Sequence, residues 1–504
     1  MDYLIGIDVG TSGTRAVLFD ENLNIISSTS EEYPLYQPQN GYAEQDPEDW
    51  AKATIKALKT IMENSGVNKN NVKGIGLSGQ MHGLVMLDEN NSVIRPAIIW
   101  ADQRTEKECD EITEKVGKEK LIQITANPAL TGFTASKILW VKNNEPENYN
   151  RCKHILLPKD YVRFILTGVY ATDVSDASGM QLLDVPKRQW SDKILDILEI
   201  DKDKLAKVYE SPEVTGKIKK SIAEETGLSE DTIVVAGAGD NAAAAIGTGV
   251  VTDGSAFTTI GTSGVVYAHS SEVHIDPKGR VHTFCCAVPN AWHIMGVTQA
   301  AGLSLKWFKN NIYEGFNPLG EKASYELINK AIEEVEIGSE KLIYLPYLMG
   351  ERTPHLDPNA RGVFFGLSAK HNKKNLARSV MEGVSFSLRD SYEILLEMGL
   401  QIDEMMITGG GARSRVWRQM LADIFNCNVR TIESEEGASL GAAILAGVGA
   451  GIFESVESAC EKHIKKVQKI IPNEKNHEIY NKYYEIYGEL YRNLKNSFKK
   501  LGKI

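Results

Sequence analysis

The chain has 504 residues, of which 42% are hydrophobic and 24% charged, and its formal net charge is −11. That length predicts two domains. The acidic balance argues against broad binding to nucleic acid or anionic membranes, although a nest of backbone N–H groups can still bind phosphate. The six cysteines lack a CxxC or zinc-like spacing. With no signal peptide or transmembrane stretch visible, a cytoplasmic location is expected.

The first half of the chain opens with a β-meander. We predict strands, in chain order, over residues 3–9, 14–20, 25–33, 72–78 and 83–88. The turn Gly10-Thr11-Ser12-Gly13 joins the first two strands. A helix is predicted to begin at Pro47, with Asp46 as its N-cap. Strands that alternate with helices of ordinary length predict an α/β fold.

A second opening of the same type occurs midway along the chain. We predict strands over 233–238, 256–260, 265–268 and 405–408, and helices over 242–249, 302–311, 372–398, 414–425, 437–447 and 474–500. The tetrapeptide Gly-Thr-Ser-Gly returns at Gly261–Gly264, again between two strands. This internal repeat predicts two related domains, residues 1–247 and 248–504.

Each Gly-Thr-Ser-Gly turn suits a phosphate group. Glycines let backbone N–H groups approach closely, and the two hydroxyls add donors. Asp8, near the end of the preceding strand, could hold Mg²⁺ against the phosphates, directly or through water. An ordinary hairpin turn accounts for the first motif alone about equally well. The second copy at Gly261–Gly264 is what favours a polyphosphate site.

A third glycine turn consists of Gly409, Gly410 and Gly411. Its bare backbone would let an adenine ring and ribose lie against it, although a structural turn is the alternative. No GxxxxGK[ST] motif occurs, and no Rossmann GxGxxG follows the first strand. The three turns together therefore fit ATP better than a lone phosphate.

The sequence Gly239-Asp240-Asn241 follows another predicted strand. A carboxylate there could accept the proton of a sugar hydroxyl as the bond to phosphorus forms, and Asn241 could orient a neighbouring hydroxyl. From spacing alone, an aspartate that caps the following helix is the simpler interpretation.

Two more turns are candidates for contact with a sugar. Met81 and His82 lie between glycines after the strand over 72–78. Trp100 and Asp102 follow a later strand, and an indole can pack on the apolar face of a sugar. From composition alone, a structural histidine is the simpler interpretation of His82, and a core tryptophan beside a surface ion pair accounts for Trp100 and Asp102 equally well.

Taken together, these residues resemble the FGGY carbohydrate kinases, members of the actin–hexokinase–Hsp70 superfamily. The matching stretches cover most of residues 3–450, and Gln80–Gly83 and Gly350–His355 are the most specific for substrate class. The resemblance implies two actin-like (ribonuclease H-like) domains around a central cleft. The first would bind the sugar and the second would bind ATP.

The resemblance also implies roles for individual residues. Asp240 would be the catalytic base, Asn241, Met81 and His82 would contact the sugar, and Asp8 would lie near Mg²⁺. The residues implied for ATP are Gly10, Thr11 and Ser12 at the first phosphate turn, Gly261, Thr262 and Ser263 at the second, Gly302 and Lys306 on a helix that lines the nucleotide pocket, and Gly409, Gly410, Gly411 and Ser414 beside the adenosine.

The implied reaction is phosphorylation of D-xylulose by ATP to D-xylulose 5-phosphate, within D-xylose catabolism that feeds the pentose phosphate pathway. A homodimer is also expected from the resemblance. The alternatives are a kinase of the same family for ribulose, gluconate, glycerol or fuculose, and a non-catalytic ATP-driven switch of the actin or Hsp70 type. The Met81-His82 turn and Trp100 argue against the switch. The presence of both Asp8 and Asp240 argues against an inactive relative.

Overall fold

The structure is a computed structural model that describes residues 1–313, 325–434 and 436–504. The strands of the first half are β1 (Tyr3–Val9), β2 (Gly13–Asp20), β3 (Ile25–Glu32), β4 (Glu44–Gln45), β5 (Val72–Gly79), β6 (Val85–Leu87), β7 (Ala97–Ile98), β8 (His154–Leu156), β9 (Ala171–Asp173), β10 (Leu183–Asp184), β11 (Gln189–Trp190), β12 (Lys207–Tyr209), β13 (Val214–Lys217), β14 (Ile233–Val235) and β15 (Ala238–Gly239). Its helices are α1 (Pro47–Ser65), α2 (Glu106–Val116), α3 (Lys118–Thr125), α4 (Thr134–Asn144), α5 (Pro146–Arg151), α6 (Pro158–Thr167), α7 (Val174–Ser178), α8 (Asp192–Leu198), α9 (Lys220–Thr226) and α10 (Asp240–Gly247).

The second half follows the same plan with longer helices. Its strands are β16 (Gly254–Ile260), β17 (Gly264–Ser270), β18 (His282–Cys285), β19 (Trp292–Thr298), β20 (Ile343–Leu345), β21 (Val363–Phe365), β22 (Ile402–Thr408), β23 (Asn428–Ile432) and β24 (Lys466–Ile470). Its helices are α11 (Gly302–Phe308), α12 (Tyr325–Ile332), α13 (Lys373–Glu397), α14 (Arg415–Phe425), α15 (Gly437–Gly449), α16 (Val456–His463) and α17 (Glu474–Leu501).

Two seven-stranded sheets organise the described residues, and five strands of each, β3-β2-β1-β5-β14 and β19-β17-β16-β22-β23, share one topology. The first has the order β13-β14-β5-β1-β2-β3, with β15 also paired to β5, and the second has the order β18-β19-β17-β16-β22-β23-β24. In each sheet an antiparallel hairpin, β1–β2 or β16–β17, pairs its first strand in parallel with a later strand, β5 or β22. A Gly-Thr-Ser-Gly tetrapeptide lies at the turn of both hairpins. The predicted internal repeat is therefore present in the fold.

The two halves exchange helices. Although α15 belongs to the second half of the chain, it packs on β1 and β5 of the first sheet and also against α10. Conversely, Ala245 of α10 lies in a core cluster with Phe257 and Tyr267 of the second sheet. The two halves are therefore held together by their helices as well as by the connecting chain. The division between residues 247 and 248 falls directly after α10 and stays a prediction.

Glycines make this close packing possible. A Cβ atom on Gly76 would lie 1.9 Å from the carbonyl oxygen of Ala442 in α15, and one on Gly6 would lie 1.8 Å from that of Ser439. Within the helix pair, a Cβ on Gly441 would lie 1.9 Å from the carbonyl oxygen of Ala243. These distances leave no room for a side chain, so backbone contacts backbone at all three positions.

Most predicted elements occur within one or two residues of the expected bounds. The main difference is the strand predicted over 233–238, which is split into β14 and β15. Gly237 between them has φ 81°, and a Cβ there would lie 2.2 Å from the carbonyl oxygen of Leu77. The left-handed conformation interrupts the strand just before Asp240. Within the described residues, no helix is long and apolar enough to cross a membrane.

Candidate functional site

Asp8 lies near the end of β1, directly before the first Gly-Thr-Ser-Gly turn. The turn is closed by the amide of Gly10, which donates to the carbonyl of Gly13 at 3.0 Å. The hydroxyl of Ser78, on the neighbouring strand β5, donates to Asp8 Oδ1 at 2.8 Å. Burial raises the pKa of the Asp8 carboxyl, and the bond from Ser78 partly opposes this effect. The carboxylate is thus held in place and partly desolvated, with its other oxygen toward the Gly10 turn.

Asp240 is the first residue of α10 and is half-buried. The backbone and side-chain amides of Asn241 donate to Asp240 Oδ1 at 2.7 and 2.9 Å. Burial, together with the nearby charge of Asp8, raises the pKa of the Asp240 carboxyl to about 7. Gly239 occupies the N-cap position of α10, so Asp240 is not the cap that spacing alone suggested. A carboxyl with a pKa near neutrality is suited to accept and release a proton.

His82 adopts a left-handed conformation with φ 68°, which is uncommon outside glycine and is found at functional turns. Its Nδ1 lies 2.9 Å from the carbonyl oxygen of Gly179 and must donate, since a carbonyl only accepts. Burial and the charge of Lys137 lower the pKa of His82 to about 3. The imidazole therefore stays neutral, and Nε2 offers a lone pair to a hydroxyl donor.

The other residues predicted to contact a sugar have diverse surroundings. Met81 is buried and lies against Gly239, where an added Cβ would be 2.9 Å from Met81 Cγ. Trp100 is exposed, and its indole N–H donates to Thr11 Oγ1 at 2.9 Å, which brings it to the first phosphate turn. Met81 thus links the His82 turn directly to the backbone that carries Asp240.

Asp102 lies in a buried ion pair. Its side chain has no solvent exposure, accepts from the amide of Ala43 at 2.6 Å and forms an ion pair with Arg104 at 2.7 Å. Both carboxylate oxygens accept hydrogen bonds within the protein, so Asp102 holds the Arg104 guanidinium and the backbone of Ala43 in place. The ion pair noted as an alternative is present but buried, whereas Trp100 is exposed and not in the core, and a contact of Asp102 with the sugar stays a prediction.

A cavity of about 550 Å³ lies on the second half of the molecule. It is lined by several of the residues predicted for ATP, namely Gly261, Thr262, Gly302, Lys306, Gly410, Gly411 and Ser414. The beginning of α11 is fixed to the second phosphate turn, because the amides of Gly302 and Leu303 donate to the carbonyls of Gly261 and Thr262 at 2.7 and 3.1 Å. The turn, this helix and the third glycine turn thus form one continuous wall.

Three residues predicted to bind ATP have structural roles near this cavity, namely Gly409, Ser263 and Ser414. Gly409 has φ 80°, and Ser263 accepts from the amide of Gly261 at 3.0 Å within its turn. The hydroxyl of Ser414 caps α14 by accepting from the amide of Trp417 at 3.2 Å, and it donates to Asn329 Oδ1 at 2.9 Å. The side chain of Ser414 is therefore already occupied, whereas Asn329 adds an amide to the cavity lining.

Sequence reasoning missed several residues that shape these sites. Ser78 lies inside a stretch that matched the family pattern, and that match is the signal that could have identified it. Gly179, which accepts from His82, and Asn329 in the cavity have no recognisable motif. Phe284 of β18 lies 6.1 Å from the His82 ring, so the second half of the chain also contributes to the surroundings of His82.

Comparison with known proteins gives concordant results. Residues 3–247 match the N-terminal domain, and residues 256–450 the C-terminal domain, of the FGGY family of carbohydrate kinases. The xylulose kinase of Bacillus subtilis is 44% identical over 445 residues, which cover 88% of both chains. A xyloylose kinase from Brucella ovis superposes with a TM-score of 0.92 at 35% identity, over 98% of this chain and 99% of the other. A gluconate kinase from Lactobacillus acidophilus gives a TM-score of 0.93 at 29% identity, over 99% of each chain.

Proposed function

Because the chain belongs to the FGGY family of carbohydrate kinases, we propose that it transfers the γ-phosphoryl group of ATP to O5 of D-xylulose. The products are ADP and D-xylulose 5-phosphate. The observation that carries this proposal is the Asp240 carboxyl, whose pKa is raised to about 7 beside Asp8. The 44% identity to a xylulose kinase supports the choice of sugar. We place the reaction in the cytoplasm, in D-xylose catabolism, and expect a homodimer.

Asp240 acts as the general base in this mechanism. Its carboxylate accepts the proton of the attacking hydroxyl as that oxygen bonds to phosphorus and the bond to the β-phosphate oxygen breaks. Neutral His82 accepts a hydrogen bond from a second hydroxyl through Nε2, and Met81 packs beside it. Both contacts orient the sugar, and correct orientation of the reactants supplies much of the rate enhancement in such reactions.

Donors at the glycine turns stabilise the phosphates. Backbone amides and the hydroxyls of Thr11, Ser12, Thr262 and Ser263 would carry the charge that spreads over the transferring group. Water could compete as a nucleophile, so we expect the two halves to close over the sugar before transfer.

Asp8 is the residue we assign to Mg²⁺. Oxygen donors suit this ion, and Asp8 offers a desolvated carboxylate beside a phosphate turn and next to a second carboxylate, Asp240. Bound there, Mg²⁺ would neutralise phosphate charge. The hydrogen bond from Ser78 orients the carboxylate for this role.

The pH dependence of catalysis provides one prediction. Only ionised Asp240 accepts a proton, and its pKa is raised to about 7 by burial and by Asp8. The value of kcat/KM for D-xylulose should therefore rise about tenfold per pH unit below pH 7 and level off above it, because kcat/KM follows groups of the free enzyme. Measurement between pH 5 and 8.5 at ATP well below its KM, so that the free enzyme predominates, checks this. A flat profile across that range would contradict the assigned base.

Gly410 provides a second prediction, for the nucleotide site. An added Cβ there would have no protein atom nearer than the carbonyl oxygen of Ile260 at 4.0 Å, so a side chain would enter the cavity rather than the protein. Gly410→Val should raise KM for ATP about tenfold or more, the equivalent of ~1.4 kcal/mol of lost binding. KM for D-xylulose and the melting temperature should change little. An unchanged KM for ATP would show that the nucleotide lies elsewhere.

A panel of phosphoryl acceptors tests the proposed function. Purified protein with ATP and Mg²⁺ would be assayed for ADP release with D-xylulose, L-ribulose, D-gluconate, glycerol and L-fuculose. We expect D-xylulose to give the largest kcat/KM. A larger kcat/KM for D-gluconate would show that the protein is a kinase for gluconate and not for D-xylulose. Turnover of ATP that does not depend on any acceptor would instead favour the switch of the actin or Hsp70 type.

A further inference from the structure

A buried charge network lies behind the proposed sugar site. Lys159 is completely buried at the start of α6, and its Nζ lies 2.6 Å from Asp160 Oδ1, 2.6 Å from Asp173 Oδ2 and 3.3 Å from Asp176 Oδ2. Arg163 adds a second cation, 3.0 Å from Asp160 Oδ1. The three carboxylates lie close enough together for a metal ion, but the Lys159 ammonium already bridges them. None of these five side chains has a part in the mechanism above.

The network holds the short helix α7 at its N-terminus. Asp173 is the N-cap of α7, and its Oδ1 accepts from the amides of Ser175 and Asp176 at 2.8 and 3.2 Å. Its other oxygen is held by Lys159. Separation of a buried ion pair is costly, because it leaves an unpaired charge away from solvent. The position of α7 is therefore rigidly defined by α6.

The same helix contacts the proposed catalytic residues at two points. Near its start, Ser175 Oγ accepts from the amide of Gly239 at 3.1 Å, the residue directly before Asp240. Just after its end, the carbonyl of Gly179 accepts from His82 Nδ1 at 2.9 Å. One helix of five residues thus bonds to the backbone beside the base and to the imidazole that faces the sugar.

The beginning of α6, which carries Lys159, also packs against the turn that holds His82. A Cβ on Gly79 would lie 2.9 Å from Lys159 Cβ, and one on Gly83 would lie 2.5 Å from Pro158 Cγ. The first residues of α6 therefore pack directly under the turn that holds Met81 and His82. The turn that holds Met81 and His82 and, through α7, the backbone beside Asp240 therefore both contact the elements that carry these charges.

We propose that α7, anchored by Lys159 and Asp173, is a positioning element that sets the place of Asp240 through Ser175 and of His82 through Gly179. The inference rests on the proposed function, since it assumes that Asp240 is the general base. Ser175 is a positioning residue, because it acts through the Gly239 amide and does not reach the sugar. Loss of its hydroxyl frees that amide and lets the carboxylate of Asp240 drift from the attacking hydroxyl.

Ser175→Ala tests this assignment, with Ser178→Ala as the matched control. Both serines are buried on α7, but Ser178 donates to the carbonyl of Ser175 and accepts from the amide of Cys285, not from Gly239. Ser175→Ala should lower kcat about 10- to 100-fold, the effect expected of a displacement near 1 Å, with KM for ATP unchanged. Ser178→Ala should keep kcat within about twofold. Equal losses in both variants would indicate general loosening and overturn the proposal.

A double-mutant cycle separates positioning from stability. If Ser175 acts through Asp240, then adding Ser175→Ala to Asp240→Asn should leave the residual kcat of that variant unchanged. A further 10-fold loss in the double variant would mean that Ser175 acts independently of the base and would refute the proposal. Should Ser175→Ala fail to fold, Ser175→Cys, which keeps a weak acceptor and nearly the same shape, takes its place in the cycle. Activity of the unmodified protein in the same assay tests the proposed function, so the two failures are distinguishable.

Discussion

Replacement of Asp240 by asparagine should lower kcat by about 10²- to 10⁴-fold, the usual contribution of a general base. The amide keeps the size of the carboxylate but cannot take the proton of the attacking hydroxyl. Binding of D-xylulose should largely survive, since Met81 and His82 are unchanged. Isothermal titration with the sugar and steady-state assays with ATP separate these two quantities.

A surface aspartate provides the control for this variant. Asp231 is exposed and forms an ion pair with Lys217 at 2.9 Å, and an exposed pair of this kind contributes little to stability. Asp231→Asn should retain full activity and stability. If Asp240→Asn phosphorylated the sugar at nearly the rate of the Asp231→Asn control, the assignment of the base would be wrong.

Gly76→Ala should destabilise the whole protein. A methyl group there would lie 1.9 Å from the carbonyl oxygen of Ala442, and both atoms belong to backbones held by a sheet and a helix. Strand β5 and helix α15 would have to move apart. The free energy of unfolding should fall by ~3 kcal/mol or more, the upper end of the range for overpacked cores. Thermal unfolding followed by circular dichroism, together with the soluble yield, measures the effect.

The same substitution at Gly488 should have the opposite sign. Gly488 lies in the middle of α17, where the nearest atom to an added Cβ is Arg492 Nη1 at 4.0 Å. Alanine there loses less backbone entropy on folding, a gain of ~0.5–1 kcal/mol. A Gly76→Ala protein as stable as the Gly488→Ala protein would contradict the close packing of α15 on the first sheet.

The sequence predicted the features that depend on local patterns. The repeated Gly-Thr-Ser-Gly turns, with a strand on each side, identified the two equivalent hairpins, because turn chemistry and strand alternation are both short-range signals. Asp46 caps α1 and Pro47 begins it, as expected from the same kind of signal. Gly410 and Gly411, which line the cavity, could be identified because consecutive glycines after a strand mark a turn with a bare backbone.

The features that depend on distant segments were not predictable in this way. The packing of α15 on the first sheet joins residues more than 350 positions apart, and nothing local distinguishes it from an ordinary small-residue helix. The buried bond from the amide of Ala43 to the carboxylate of Asp102 joins residues 59 positions apart and is invisible in sequence. The bonds of Ser175 to Gly239 and of Gly179 to His82 are also long-range, so no local pattern predicts them.

The most direct test of the central claim is to follow ATP consumption and the product together. Phosphorus NMR of a reaction with ATP, Mg²⁺ and D-xylulose should show one phosphorylated ketose formed for each ADP, with the new phosphorus coupled to the protons on C5. Omission of the sugar should reduce ATP turnover to a small fraction. Equal turnover with and without D-xylulose, or a phosphate on another carbon, would contradict a cleft in which Asp240 activates the O5 hydroxyl.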